Sequence, residues 1–231
     1  MFVSLEGPDG AGKTTQAQLL VAKLEASDRR AILVHEPGGT DLGVHVRALL
    51  VGRTWTAIDP WAEALLFSAC RAQLVREVIR PALEQGLLVI ADRFADSTLA
   101  YQGAGRGLSR SPLQTLIEIA TGGLQPDLTV LLDLPAEVGL ARNLGPAGGQ
   151  DVAGQMAFFE ELQLAQDWNR FEDEAVAFHG RVQQAYREMA ACDPARWVVV
   201  DATKGRDIVA AEVWSVVQAR LPKPSPSDGG G

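Results

Sequence analysis

At 231 residues, with 47% hydrophobic and 22% charged side chains, the chain has the composition of an ordinary soluble globular protein, long enough for one sizeable domain. It has no apolar run near the ~18 residues of a membrane-spanning helix and no charged-then-apolar leader, and Cys70 and Cys192 make neither a disulfide framework nor a metal set, so a reducing cytoplasm is expected. A net charge of −8 speaks against a broad grip on nucleic acid, but not against a nucleotide, which needs only a few local cations.

The first element is residues 2–6, an apolar run that predicts a buried strand. It breaks into Gly7-Pro8-Asp9-Gly10-Ala11-Gly12 and continues through Lys13-Thr14-Thr15 into a helical stripe at Ala17, Leu20, Val21 and Leu24, over residues 13–27. Gly7, Gly12, Lys13 and Thr14 fit G-x-x-x-x-G-K-[ST], the Walker A phosphate-binding loop, in the strand–loop–helix context that motif requires. A second strand over 31–34 feeds the loop 35–40, and Asp41 is placed to cap a helix to about 50. Asp59-Pro60 opens a helix carrying Ala64, Phe67, Cys70, Leu74 and Val78 inward, closed by Gly86. The third strand, 87–91, ends in Asp92-Arg93; a helix over 95–102 and a Gly-rich turn over 103–107 follow. Ser111-Pro112 opens a helix to about 122, residues 128–134 form the fourth strand, and Pro135-Ala136-Glu137 starts a helix to about 142. Residues 171–191 read as a helix with Ala175, Phe178, Val182 and Met189 inward and His179 at the surface. A fifth strand over 197–201 and a helix over 207–220 complete the fold, and 222–231 has the composition of a disordered tail.

Strands of continuous apolar character alternating with helices predict a five-stranded parallel sheet flanked by helices, an α/β P-loop NTPase fold in one domain over residues 1–221. Ligands in such sheets bind beyond the carboxyl ends of the strands, where Glu36, Asp92 and Arg93 fall. In the loop, backbone N–H groups and the helix start favour a polyphosphate, Lys13 reaches the β- and γ-phosphates, and the Thr14 hydroxyl suits Mg²⁺. Asp92, ending an apolar strand, is a second candidate for the magnesium, or a cap for the next helix. Asp9 is awkward beside phosphates unless it faces away from them, toward a second substrate; a plain turn residue is the other reading.

Taken together, FVSLEGPDGAGKTTQ at 2–16, EPGGT at 36–40, ALLFSACRAQLV at 64–75, DRFADSTLAYQG at 92–103 and PDLTVLLDLP at 126–135 closely resemble the thymidylate kinase family. The resemblance implies transfer of the ATP γ-phosphoryl group to dTMP with Mg²⁺, within a homodimer, with apolar helix faces such as 64–78 as the contact. It implies ATP phosphates on Gly7, Gly10, Ala11, Gly12, Lys13, Thr14 and Thr15, with the loop at Lys204 near the adenine. It places Asp9 on the sugar 3′-OH, Glu36 and Pro37 beside the monophosphate, and Arg47 and Arg93 on its charge. Phe67 would stack on thymine and Arg71 would bond its carbonyl edge, a reading supported by an Arg one turn from an inward Phe, which needs a buried polar partner. Ser97, Tyr101 and Gln102 would form the nucleoside wall, with Tyr101 disfavouring ribose. Another nucleoside-monophosphate kinase and a catalytically silent regulator are the rival readings.

The lid, about 143–170, departs from the family by being longer, with a Gly-rich stretch at 148–154 and an amphipathic one at 156–164. The phosphate loop carries no arginine, so the lid should supply one. Arg142 and Arg170 are the candidates, and Arg170, within Asn169-Arg170-Phe171-Glu172, is the preferred one.

Overall fold

The computed structural model describes residues 1–51, 58–144 and 176–221. Five strands, β1 (Phe2–Glu6), β2 (Ala31–His35), β3 (Leu88–Asp92), β4 (Leu128–Asp133) and β5 (Trp197–Asp201), form one parallel sheet in the order β2-β3-β1-β4-β5. The chain leaves β1 outward to β2, returns to β3 on one side of β1 and crosses to β4 on its other side. That reversal opens a crevice at the carboxyl end of β1, the position at which such sheets bind ligands.

In β1, β3 and β4 both faces are buried, which explains their apolar runs, while the edge strands β2 and β5 leave Leu33 and Val199 exposed. Val3, Leu5, Ile90, Val130 and Leu132 meet Leu20 and Leu24 of α1 (Lys13–Glu25) and Val213 and Val217 of the last helix, Arg206–Arg220. On the other face, Phe2, Val89 and Ala91 pack on Leu74 and Ile79, and Leu131 and Trp197 on Phe178, Val182 and Tyr186 of the helix Val176–Cys192.

Local chemistry departs from the expectations at four points. Asp41 is the first residue of α2 (Asp41–Val51) rather than its cap; Thr40 takes that role, its Oγ1 accepting from Gly43 N at 3.0 Å. The helix opened by Asp59, whose carboxylate accepts from Trp61 N and Ala62 N, is regular over α3 (Pro60–Leu74) and then widens to a π turn at Val75–Ile79 before α4 (Arg80–Glu84). Pro81 has no N–H to give to the fourth carbonyl back and its ring crowds that carbonyl, so the wider turn relieves both. After α5 (Ala95–Thr98) the chain stays helical, as a π stretch over Leu99–Gly105, where a Gly-rich turn was expected. Gly105 serves close packing instead: a Cβ there would lie 2.6 Å from the Phe178 ring, and the turn waits for Gly107 at φ +79°. His179, expected at the surface, is 1% exposed, because its helix lies across that π stretch. Among the described residues the remaining helices are α6 (Arg110–Thr121), α7 (Ala136–Leu144), α8 (Val176–Cys192) and α9 (Arg206–Arg220). Among the described residues no helix is long and apolar enough to cross a membrane.

Candidate active site

The phosphate loop leaves β1 at Glu6 and enters α1 at Lys13. Gly10, at φ +75°, has no room for a side chain, since a Cβ would overlap the Gly139 carbonyl of α7. The loop is thus seated on the α7 backbone, and Arg142, exposed on that helix, donates from Nη1 to Gly10 O at 3.4 Å. Lys13 is buried and donates from Nζ to Pro8 O at 2.8 Å. Thr14 Oγ1 donates to Asp92 Oδ2 at 2.5 Å, which joins the loop to the end of β3.

Burial, and after it the neighbouring Arg93, push the Lys13 ammonium down to about 8, against the pull of Asp9, Asp92 and Glu6. A bound polyphosphate favours the charged form and raises that value again. ATP affinity is therefore expected to fall about tenfold between pH 7 and 9, with proton uptake on binding near pH 8. Calorimetry at both pH values, in two buffers of different ionisation heat, measures both; equal affinity with no uptake would mean that Lys13 is fully charged in the free protein.

Arg93 sits at φ +71°, left-handed backbone that is rare for a side chain of its size and that turns its guanidinium back under the loop. Its Nη1 donates to Gly7 O at 3.3 Å, Ser97 Oγ at 3.3 Å and Tyr186 Oη at 3.4 Å, and its Nη2 to Asp9 Oδ1 at 2.5 Å and Tyr101 Oη at 3.0 Å. Burial raises the Asp9 carboxyl, but Arg93 and Lys13 outweigh it and hold it below the usual carboxylate range. Asp9 Oδ2 has no hydrogen-bond partner and lies 3.9 Å from His179 Nδ1. Beneath them Glu6 is fully buried and accepts from Phe94 N, Ser97 Oγ and Tyr186 Oη at 2.7, 2.6 and 3.0 Å. Burial and Asp96 push it up to about 7 although Ser97, Arg93 and Phe94 oppose them.

On the other side of the crevice, Arg71 is 1% exposed and gives Nε and Nη2 to Glu36 Oε2 at 2.9 and 2.6 Å, Nη2 to Phe94 O at 3.2 Å, and Nη1 to Thr98 Oγ1 at 3.0 Å. The buried partner that Arg71 required is in the first place Glu36, not a base edge. Of five guanidinium N–H groups one remains, on Nη1. Glu36 Oε1 has no partner, and burial raises this carboxyl despite Arg71. The Glu36–Pro37 peptide is cis, and Arg47 Nη1 donates to Pro37 O at 3.0 Å. Phe67 is half-buried one turn before Arg71, and Gln102 is buried with its Nε2 on Glu63 Oε1 at 2.9 Å.

Lys204 stands apart, exposed, with Nζ on Glu212 at 2.6 Å. Arg170, the lid over 145–170, Ala175 and the tail at 222–231 lie outside the described residues. Sequence reasoning passed over Glu6 and Tyr186 and assigned His179 to the surface. Glu6 closes an apolar strand, and Tyr186 falls at core spacing from Phe178 and Val182, so both look structural until their polar ends are seen beside Arg93 and Ser97. The close pairing of His179 with Asp9 has no sequence signal at all.

A parallel sheet with this loop at its central strand, Thr14 on a strand-end aspartate and cations around the opening defines a P-loop nucleotide-binding protein. The family model "Thymidylate kinase" matches residues 5–213. Similar chains include thymidylate kinases of Roseiflexus castenholzii, 45% identical over 96% of this chain and 94% of that one, and of Thermomicrobium roseum, 48% identical over 94% and 93%. A crystal structure of thymidylate kinase from Ehrlichia chaffeensis is similar with a TM-score of 0.69 at 31% identity, over 94% of this chain and 98% of that one. The chain belongs to the thymidylate kinase family, and it is a phosphotransferase.

Proposed function

We propose that the chain transfers the γ-phosphoryl group of ATP to dTMP, giving ADP and dTDP. The observation that supports this best is the gathering of Lys13, Arg47 and Arg93 at the carboxyl ends of the strands. Burial lowers the pKa of both Lys13 and Arg47, and the Arg93 charge adds to this in each, a repulsion that a bound anion would relieve. On the acceptor side, Asp9 Oδ2 and Glu36 Oε1 are buried acceptors without donors, suited to a sugar hydroxyl and to groups at the monophosphate.

A phosphate oxygen of dTMP, already anionic, forms the new bond to the γ-phosphorus as the bond to the β–γ bridging oxygen breaks, and ADP leaves with that electron pair. No strong base is needed, and positioning and charge carry the rate. Lys13 and the loop at Gly7, Gly10, Ala11, Gly12, Thr14 and Thr15 hold the ATP phosphates; Arg93 and Arg47 hold the monophosphate; Arg142, which donates to Gly10 O, and Arg170 are the lid candidates for the transferring group. Among the described residues no cluster of three or more His, Cys, Asp or Glu forms a cation cage, and Thr14 with Asp92 fits Mg²⁺, which takes few protein oxygens and shares the rest with phosphate and water. When bound, it would neutralise charge on the β- and γ-phosphates. Phe67 faces the thymine, with Ser97 and Tyr101 on the sugar side.

We also propose one domain over residues 1–221 with a lid over 143–170, working as a homodimer in the cytoplasm. Trp61, Leu65, Ala69 and Ala72 leave an exposed apolar stripe along α3, with Leu65 at 55% exposure, beside exposed Leu42 and Leu49 of α2. Leu65→Glu is expected to convert the dimer to monomer in sedimentation velocity without loss of helix by circular dichroism; a dimer unchanged by it would place the contact elsewhere.

The function is tested by ADP release from ATP and Mg²⁺ in a coupled assay with dTMP, dUMP, dCMP, dGMP or UMP. Strong dependence on dTMP is expected. Preference for another acceptor would overturn the thymine reading.

A further inference from the structure

We infer that Glu63 is a specificity-determining positioning residue, whose carboxylate locks the Gln102 amide so that its oxygen accepts from thymine N3–H and turns cytosine away. This rests on the dTMP reading above. Glu63, Phe67 and Arg71 are spaced by four along α3 and so share one stripe, which faces the π stretch carrying Tyr101 and Gln102. Phe67, on which the base would stack, has Arg71 one turn to one side and Glu63, bonded to Gln102 of the π stretch, one turn to the other.

The lock comes from one-way chemistry. Glu63 is completely buried, and its carboxylate is paired with Arg106, whose Nε approaches Oε1 and whose Nη2 approaches Oε2, both at 3.3 Å. Arg106 is held in turn over the Phe178 ring at 4.9 Å. A carboxylate accepts and does not donate, so Gln102 must turn its NH₂ toward Glu63, as the 2.9 Å contact has it. One of the two amide N–H groups is then held by Glu63, and the oxygen, turned away from that carboxylate, is the acceptor that Gln102 can offer to a ligand. The single N–H left on Arg71 supplies a donor on the same stripe. A donor from Arg71 and an acceptor from Gln102 would together match O4 and N3–H of thymine. Cytosine offers the reverse, an amine at C4 and a lone pair at N3, and would set donor against donor and acceptor against acceptor, each pair buried and unsatisfied. Uracil carries the thymine pattern, so this device does not separate dTMP from dUMP.

The test compares kcat/KM for dTMP, dUMP and dCMP in the wild type, Glu63→Gln, Gln102→Leu and the double variant. The amide in Glu63→Gln accepts or donates, so Gln102 is free to turn over. The dTMP:dCMP ratio is expected to fall roughly tenfold or more, the loss of one enforced hydrogen-bond direction in a buried site, while dTMP:dUMP stays unchanged. On the Gln102→Leu background the same substitution should leave dTMP:dCMP where it was, because Glu63 acts through Gln102. Should Glu63→Gln melt early from loss of the Glu63–Arg106 ion pair, Glu63→Gln with Arg106→Gln removes both charges and carries the same expectation. An unchanged dTMP:dCMP ratio in a folded variant, or a change that persists without the Gln102 amide, would overturn the inference. A wild type without dTMP-dependent turnover would show instead that the dTMP reading beneath it is wrong.

Discussion

Arg93→Ala should lower kcat by roughly 10³-fold or more, the range in which arginines that stabilise phosphoryl transfer act. Its guanidinium makes five hydrogen bonds, to Gly7 O, Ser97, Tyr186, Asp9 and Tyr101, and stacks at 4.8 Å over the Tyr101 ring, so it is held in place before any ligand arrives. The effect is therefore expected in kcat as well as in the KM for dTMP, because a pre-positioned charge is worth most where charge develops. The substitution also removes the cation that lowers Lys13 and holds down Asp9. Lys13 should then titrate above its present value of about 8, and the pH dependence of ATP affinity should move upward with it. Steady-state kinetics in both substrates, with circular dichroism as a check on folding, measures this. A loss below tenfold in kcat with KM unchanged would move the charge-stabilising role to Arg142 or Arg170. Arg93→Lys is not a rescue, since an ammonium cannot serve Gly7 O, Tyr186, Asp9 and Tyr101 together.

Arg71→Ala is expected to be the most destabilising single change at the site, costing about 3–5 kcal/mol, the range for removing one partner of a buried ion pair. The side chains of Arg71 and Glu36 are 1% and 3% exposed, and Thr98 Oγ1 and Phe94 O lose their donors as well. For a chain of this size that corresponds to a fall of about 10 °C in Tm. Glu36 is already raised by burial, and without Arg71 its folded-state pKa rises further above the unfolded value. The folded variant then binds a proton that the unfolded chain releases between those two values, so its stability decreases as pH rises through that window. The deficit relative to wild type should be largest at pH 8 and shrink toward pH 5, as read by urea unfolding at each pH. Arg71→Met with Glu36→Gln should recover much of the loss by leaving no buried charge. A deficit independent of pH would mean that lost packing against Phe94, rather than the stranded Glu36, sets the cost.

The phosphate loop was legible in order along the chain because its chemistry is local. Gly7 to Thr14 is one turn between a strand and a helix, and its function follows from backbone N–H groups and one lysine set by spacing. The three central strands were legible for a similar reason: a strand buried on both faces is largely apolar along its length, and such runs point to a parallel sheet. Boundaries slipped where a residue's local preference met a neighbour distant in sequence. Gly103 and Gly105 read as a turn, and only Phe178 from α8 explains why Gly105 stays helical.

Arg71 needed a buried polar partner, and that much followed from its place beside Phe67. That the partner is Glu36, 35 residues away, followed only from β2 and α3 ending at the same crevice. Glu6 and Tyr186 went unnoticed, and His179 was assigned to the surface, because a polar side chain at core spacing says nothing of what its polar end meets. Tyr186 stands 180 residues from Glu6 and touches it only because α8 folds back over the sheet. Chain order thus decided the loop, the strands and the class of chemistry, which depend on neighbours a few residues apart. Which carboxylate holds which arginine, and which acceptors are left open for a ligand, depended on strand order and helix packing. Hydrogen bonds act over about 3 Å, and no spacing along the chain encodes a distance of that size between remote segments.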